Sequence, residues 1–388
     1  MKLSTKLPLV IIGLSILAVL ITGVISFTRS EHALEEAAFT KLEAVQEARI
    51  AELETYLHSV EEDLRIIATN DMAINAVSEI ETAFEEFGSN AKDMARDLYV
   101  TNNPNEAGEK NKLVDAKDGS TYSKAHAHYH PWFQQLLQSR GYYDIFLLNE
   151  DGDVVYSVYK EDDFGTNVID GKWSKTDLAA VYKQVENKPL GTVAFSDFAP
   201  YGPSNNAPAS FMATPLYEHG GEFHGALIFQ MPIQKINKIM QANVGMGETG
   251  EAFLVGPDHL MRSDSRFSKD STILKKKIDT DPVNKALAGE DSVMVAQNYK
   301  NELVLAAYGP ISFHGVTWAA VAEITMDEVD IPVLNLRNIL LVVVLIIALG
   351  VGVIGFVLSR SISKPINAMT GVIKVTSATL LADIFEST

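Results

Sequence analysis

Residues able to do chemistry gather at four places in the chain. His126, His128 and His130 alternate in AHAHYHP. On a strand their imidazoles would share one face and could ligate zinc or copper. On a helix, consecutive members stand about 200° apart and converge poorly, which leaves packing or capping. Gly245-Met246-Gly247-Glu248-Thr249-Gly250 matches G-x-G-x-x-G. A dinucleotide site needs a strand before the glycines and a helix after them, because the helix N-terminus holds the pyrophosphate. Here the helix-like QKINKIMQAN precedes and the strand-like EAFLV follows, so the stretch reads as a connector. Glu161, Asp162 and Asp163, with Asp144, Asp151 and Asp153, form a carboxylate set that suggests calcium. The EF-hand spacing is missing, and Asp-Gly-Asp is ordinary hairpin-turn chemistry, so these acids are expected mostly to face water. The fourth place is FSDFAPY, where Asp197 interrupts an aromatic-rich strand end. Its carboxylate could hold a cationic group between aromatic walls. The candidate ligand-binding set is Asp197, Tyr201, Trp173, Tyr182 and Tyr143; a turn aspartate among core aromatics is the plainer alternative.

No catalytic set assembles. The chain has no cysteine, which excludes thiolate chemistry and disulfides, and no Gly-x-Ser-x-Gly elbow, kinase or cyclase signature occurs. No enzyme activity, cofactor or metal is expected. The formal net charge of −18 argues against a nucleic-acid surface.

The elements around these residues begin and end in apolar runs. Leu7 to Phe27 is 21 residues without a charge, about 31 Å as a helix, enough for a bilayer core of about 30 Å. Ile339 to Leu358 is a second such run. The first is longer than a signal-peptide core and lacks an A-x-A site, so it reads as a retained anchor. Lys2 and Lys6 precede the first run, and Arg360, Lys364 and Lys374 follow the second. By the positive-inside rule both termini face the cytoplasm and the acidic middle lies outside.

Within that middle, Ile50, Leu53, Leu57, Val60, Leu64 and Ile67 step by three and four, one stripe of a helix. No glycine or proline interrupts Ser30 to Phe87, which predicts one stalk helix with its stripe on a domain face or a partner stalk. Thr101 to Val114 is polar and predicted to be a loop. Phe146-Leu147-Leu148, Asp151 and Val154 to Ser157 are echoed by Phe253-Leu254-Val255, Asp258 and Leu260 to Ser263. Ser210 to Pro215 and Gly225 to Phe229 are echoed by Leu303 to Pro310 and Val316 to Val321. The fold class is therefore α+β: a long stalk helix carrying two antiparallel-sheet modules in series, plus two transmembrane helices.

The blocks KAHAHYHPWF, GYYDIFLLNEDGDVVYSVYKEDDFGTN, VAFSDFAPYGPSNNAPASFMATPL, GETGEAFLVGPDHLMRSDSRF and WAAVAEI resemble the double Cache sensor domains of bacterial methyl-accepting chemotaxis receptors. SRSISKPINAMTGVI resembles the start of a HAMP linker, with Ile366, Met369 and Ile373 keeping a helical stripe. The resemblance implies PAS-like modules, of which the membrane-distal one usually takes a small ligand. It implies a layout of cytoplasmic N-terminus 1–6, membrane helix 7–28, periplasmic sensor 29–337, membrane helix 338–358 and partial HAMP linker 359–388. Within the sensor, the stalk covers about 30–87, the distal module about 120–240 and the proximal module about 245–328. In the amino-acid-binding branch an aspartate at the strand equivalent to Asp197 grips the ligand amine, and an Arg-x-Trp-Tyr helix grips its carboxylate. Here that helix reads GKWSKTDLAAVYKQV, with Trp173 but no such arginine, so an α-amino acid is not implied. The expected protein is a two-pass chemoreceptor of the bacterial inner membrane, a homodimer without cofactor that binds a small molecule. The sensor portion of a histidine kinase or nucleotide cyclase is the alternative. Cytoplasmic signalling partners require an output domain; with the chain stopping at Thr388, a fragment, a frameshifted product or a sensor without output is expected.

Overall fold

A computed structural model describes residues 3–218 and 220–386, with the side chains of 3–9, 11, 358–359, 362–371, 373–375 and 377–386 left out. The expected HAMP stripe of Ile366, Met369 and Ile373 lies outside the described side chains. The chain divides into two compact units, Met1–Thr40 with Asp327–Thr388, and Lys41–Met326.

The first unit holds the N-terminal part of helix α1 (Leu3–Ala68) and the last helix of the chain (Met326–Glu386). Gly355 lies against Ile12, and side chains such as Leu14, Val24, Leu341 and Val353 are more than half exposed. Two helices, Ile12–Ala68 and Met326–Val357, are long and apolar enough to cross a membrane.

In the second unit α1 buries Leu53, Leu57, Val60, Leu64 and Ile67, so the stripe covers the chain's own domain. The helix expected to run unbroken to Phe87 instead ends at Ala68, and α2 (Asp71–Glu85) starts afresh. The stop needs no glycine or proline. Asn70 adopts an extended backbone and its side chain accepts from Met72 N at 2.8 Å, the signature of a helix N-cap. The break lets α2 turn back onto the sheet. After α3 (Ala91–Arg96) and the irregular stretch 102–120 comes α4 (Thr121–Arg140), capped by Ser120 and closed by Gly141 in the left-handed conformation.

The distal module contains β1 (Asp144–Leu148), β2 (Val154–Ser157), α5 (Asp177–Val185), β3 (Ala194–Phe195), β4 (Ala199–Tyr201), β5 (Ala207–Ala209), β6 (Phe211–Tyr217) and β7 (Phe223–Gln230). Its main sheet has the order β2-β1-β7-β6-β3, antiparallel throughout. β4 and β5 form a separate ribbon in which Pro200 stands opposite Pro208. α5 covers one face of the sheet; α2 and α4 pack on the other.

Helix α6 (Ile233–Met240) leads through the glycine-rich connector into the proximal module: β8 (Glu251–Val255), α7 (Asp281–Leu287), β9 (Ser292–Gln297), β10 (Leu303–Phe313) and β11 (Val316–Thr325). The final helix of the first unit is α8 (Met326–Glu386). The proximal sheet runs β8-β11-β10-β9, the distal order with its outermost strand removed. The stretch expected to echo β2 survives only as isolated bridges, Val255 to Met261 and Leu260 to Lys277. α7 covers this sheet as α5 covers the other.

Candidate ligand-binding site

Asp144 and Gln230 are directly opposed across β1 and β7, on the face that also carries Phe146 and Ile228 into the core beneath α5. Directly opposed residues of an antiparallel pair project to the same face. Asp144 Oδ1 accepts from the backbone N–H groups of Ile145, Val158 and Tyr159 at 2.7, 2.9 and 3.2 Å. That grip holds the segment following β2, and so places Lys160, Glu161 and Asp163 over the end of the sheet. Glu161 accepts from the hydroxyl of Tyr143 at 3.0 Å and from that of Ser204. Asp163 Oδ2 accepts from the hydroxyl of Tyr201 at 2.6 Å, and the Tyr201 ring packs edge-on to Phe211. The loop, the β4–β5 ribbon and the sheet end thus meet around three carboxyl groups.

The expectation that these acids mostly face water is corrected for Asp144 and Asp163, both fully buried. They interrupt apolar surroundings instead of decorating a turn. Burial drives the Asp163 carboxyl up to about 7, against the pull of the Tyr201 hydroxyl and helped by repulsion from Glu161. Burial, then the charges of Asp163 and Glu161, push Asp144 well above the carboxylate range. Burial raises Glu161 too. In this cluster Asp163 Oδ1 and Gln230 Oε1 are buried without a hydrogen-bond partner among the described residues. The arrangement offers acceptors to a donor-rich or cationic group. No group of three or more potential metal ligands occurs among the described residues.

Lys160, also fully buried and with a positive φ of 53°, directs its amine to Val158 O at 3.0 Å and His130 Nδ1 at 3.2 Å. Burial lowers its pKa, opposed by Asp144. The histidines lie on a helix, yet His126 and His130, four apart, share a face and stack at 4.5 Å; only His128 points elsewhere. The expected poor convergence holds for adjacent members and fails for this pair. Their ring nitrogens grip Val114 O and Asn111 O, each at 2.7 Å, lashing the polar stretch to α4. Burial and then the charge of Lys160 hold His130 down to about 3, so its imidazole is neutral.

Of the residues expected at the site, Tyr143 and Tyr201 stand in the cluster. Trp173 is a strut: its indole N–H donates to Asp162 O at 3.1 Å, and its ring lies so close to Gly202 that a Cβ there would sit 2.5 Å from it. Tyr182 is committed to the β1–β2 turn, donating to Asn149 O and Glu150 O at 3.0 and 2.9 Å. The cation held by Asp197 comes from its own chain. Arg262 Nε and Nη2 donate to its two oxygens at 2.9 and 2.8 Å, and Trp318 Nε1 donates to Oδ1 at 2.7 Å. Reading the sequence did not place Asp144, Asp163 and Gln230 in this buried cluster. The available signal was a polar residue opening the apolar run DIFLL and another closing GALIFQ.

The unit from Lys41 to Met326 is thus a stalk carrying two serial antiparallel modules. The sequence matches the double Cache (dCache_1) model of the Cache domain over residues 30–333. The chain belongs to the Cache domain family. It is similar to the probable chemoreceptor y4sI of Sinorhizobium fredii, 23% identical over 249 residues, or 63% of this chain and 30% of that protein. The chain therefore spans less than a third of that relative's length. Among solved structures it is similar to the ligand binding domain of the Pseudomonas aeruginosa PAO1 amino acid chemoreceptor PctB in complex with L-Gln. The identity is 14%, the TM-score 0.35, and the cover 67% of this chain and 90% of that one. For the V. cholerae histidine kinase DctB sensor domain these values are 11%, 0.40, 76% and 98%.

Proposed function

We propose that this chain is the sensing part of a two-pass chemoreceptor of the bacterial inner membrane. Its periplasmic distal module takes a small solute with a cationic, hydrogen-bond-donating group. The solute's donors meet Asp163 Oδ1 and Gln230 Oε1, while Tyr143 and Tyr201 wall the site and hold the carboxylates in place. Asp197, engaged by Arg262 and Trp318, is left out of this contact set. Binding shifts the sensor between two conformations, and the helices continuing into the two apolar runs carry the shift to a HAMP linker in a homodimer. Membership of the Cache family and the relative named a probable chemoreceptor support this reading. The observation that carries it is the fully buried Asp163 with one oxygen left unsatisfied, since a buried acceptor without a partner costs about 1–3 kcal/mol. A ligand donor would recover that.

The full chain in lipid nanodiscs, screened by thermal shift and titration calorimetry against organic amines and neutral solutes, tests it. Amines should bind, and Asp163→Asn should weaken binding at least tenfold, about 1.4 kcal/mol. Equal affinity in the variant would remove Asp163 from the site.

A further inference from the structure

Asp197 lies between β3 and β4 of the distal module, four positions before Tyr201, yet both its oxygens are held by the proximal module. Arg262 forks onto it with 3% of its own side chain exposed, and is braced from behind by Leu260 O and Asp258 Oδ1, each 2.9 Å from Nη1. Its guanidinium lies on the backbone of Gly256, where a Cβ would come within 2.3 Å. The Trp318 N–H shares Oδ1 with Phe198 N, at 2.7 Å each. Around this node Phe195 meets Phe313 edge-on at 5.2 Å and Trp318 at 5.9 Å, and Phe198 lies 6.2 Å from Trp318. A bidentate arginine–carboxylate pair with its arginine buried fixes both distance and angle. The chain running from this node enters the β4–β5 ribbon, whose Tyr201 and Ser204 hydroxyls are bound to Asp163 and Glu161.

We propose that the Asp197–Arg262–Trp318 contact is the joint through which the state of the distal pocket reaches the proximal module. A change at Asp163 or Glu161 moves the ribbon, and the ribbon's root is clamped to the β10–β11 hairpin end and to the 256–262 loop. The signalling sense of this joint rests on the pocket being the ligand site. Its mechanical sense does not.

The test therefore uses no ligand. In the full chain in nanodiscs, Tyr201→Phe removes the pocket hydroxyl and Trp318→Phe removes the indole donor while keeping an aromatic ring. Their effects on the unfolding equilibrium should couple by at least about fivefold, and become additive when Asp197→Asn is added. Additivity with Asp197 intact overturns the proposal. Hydrogen exchange gives the second reading. Tyr201→Phe should speed amide exchange at 256–262 and 316–320 at least about threefold with Asp197 present and leave it unchanged with Asp197→Asn. If Asp197→Asn instead loosens β1 and β7 as much as those segments, Asp197 is a general fixture and the joint is refuted. Should Asp197→Asn fail to fold, Trp318→Phe takes its place in the exchange comparison. A failed ligand screen would leave these results intact.

Discussion

Across β1 and β7 of the distal module Asp144 stands opposite Gln230; across β8 and β11 of the proximal module, at the same place in the register, Glu251 stands opposite Glu323. The proximal pair is answered from within. Ser265 and Tyr299 donate to Glu251 at 2.6 and 2.5 Å, the Lys300 ammonium lies 3.1 Å from it, and Asn298 donates to Glu323 at 2.9 Å. That ammonium sits over the rings of Phe267 and Tyr299, 4.5 and 5.1 Å from their centroids. In the distal module the buried amine, Lys160, turns instead toward His130 and Val158 O, and Asp163 Oδ1 and Gln230 Oε1 are left without partners among the described residues. One sheet position thus carries an internally answered polar pair in the proximal module and, in the distal one, a pair beside acceptors without partners among the described residues. On the proposed reading, the repeated fold holds stability and recognition in separate copies.

Removing the internal cation breaks the comparison most forcefully. Lys300→Met leaves Glu251, 1% exposed, without its counter-charge. Breaking a buried pair costs about 3–5 kcal/mol, and with about a third of the Lys300 side chain in solvent the expected loss is about 2–3 kcal/mol by urea unfolding. A loss below about 0.5 kcal/mol would mean that the proximal module is not balanced from within.

Glu323→Gln acts through pH. Burial, then repulsion from Glu251, raises the Glu323 carboxyl to about 8, against the pull of Asn298. The unfolded chain gives up that proton near pH 4. Between the two values the folded state binds more protons, so stability falls as pH rises and the fall is complete above 8. The glutamine variant should flatten that slope and gain about 2 kcal/mol on the wild type between pH 5 and pH 9, read from urea midpoints. Parallel pH profiles would show that Glu323 does not titrate in this window.

Asp163→Asn is the smallest change and the sharpest contrast. With a folded value of about 7, Asp163 also loses stability as pH rises, over a narrower window ending near neutrality. Its amide should raise stability by about 1 kcal/mol at pH 8 while weakening the proposed ligand binding. A destabilised variant would place Asp163 among the structural acids, with Glu251.

The stalk stripe and the paired strand blocks were readable because burial imposes a period, and a period survives in one dimension. The end of α1 at Ala68 was not, because its cause is the side chain of Asn70 folding onto Met72 N, a local choice no longer-range pattern marks. The candidate cluster was half readable. Tyr143 and Tyr201 were among the residues singled out, whereas Asp163 looked like one of three loop acids, and only the fold buries it and leaves Asp162 outside. Asp197 was expected to hold the cationic group of a ligand, whereas the structure engages its carboxylate with Arg262. That its cation sits 65 residues downstream is a fact of packing between modules, invisible to spacing. The repeat held an unused clue: a polar residue heads both DIFLL and EAFLV, where alternation alone gives no reason for one.

Facing prolines at 200 and 208 give the β4–β5 ribbon a stiffness that its short strands alone would not supply. Each ring locks its φ and removes a donor N–H, so the ribbon cannot easily fray into another conformation and offers a poor template to a foreign strand. Pushed at the tyrosine end, it would swing like a short lever instead of crumpling. The same two rings keep that lever from being captured by a neighbouring strand.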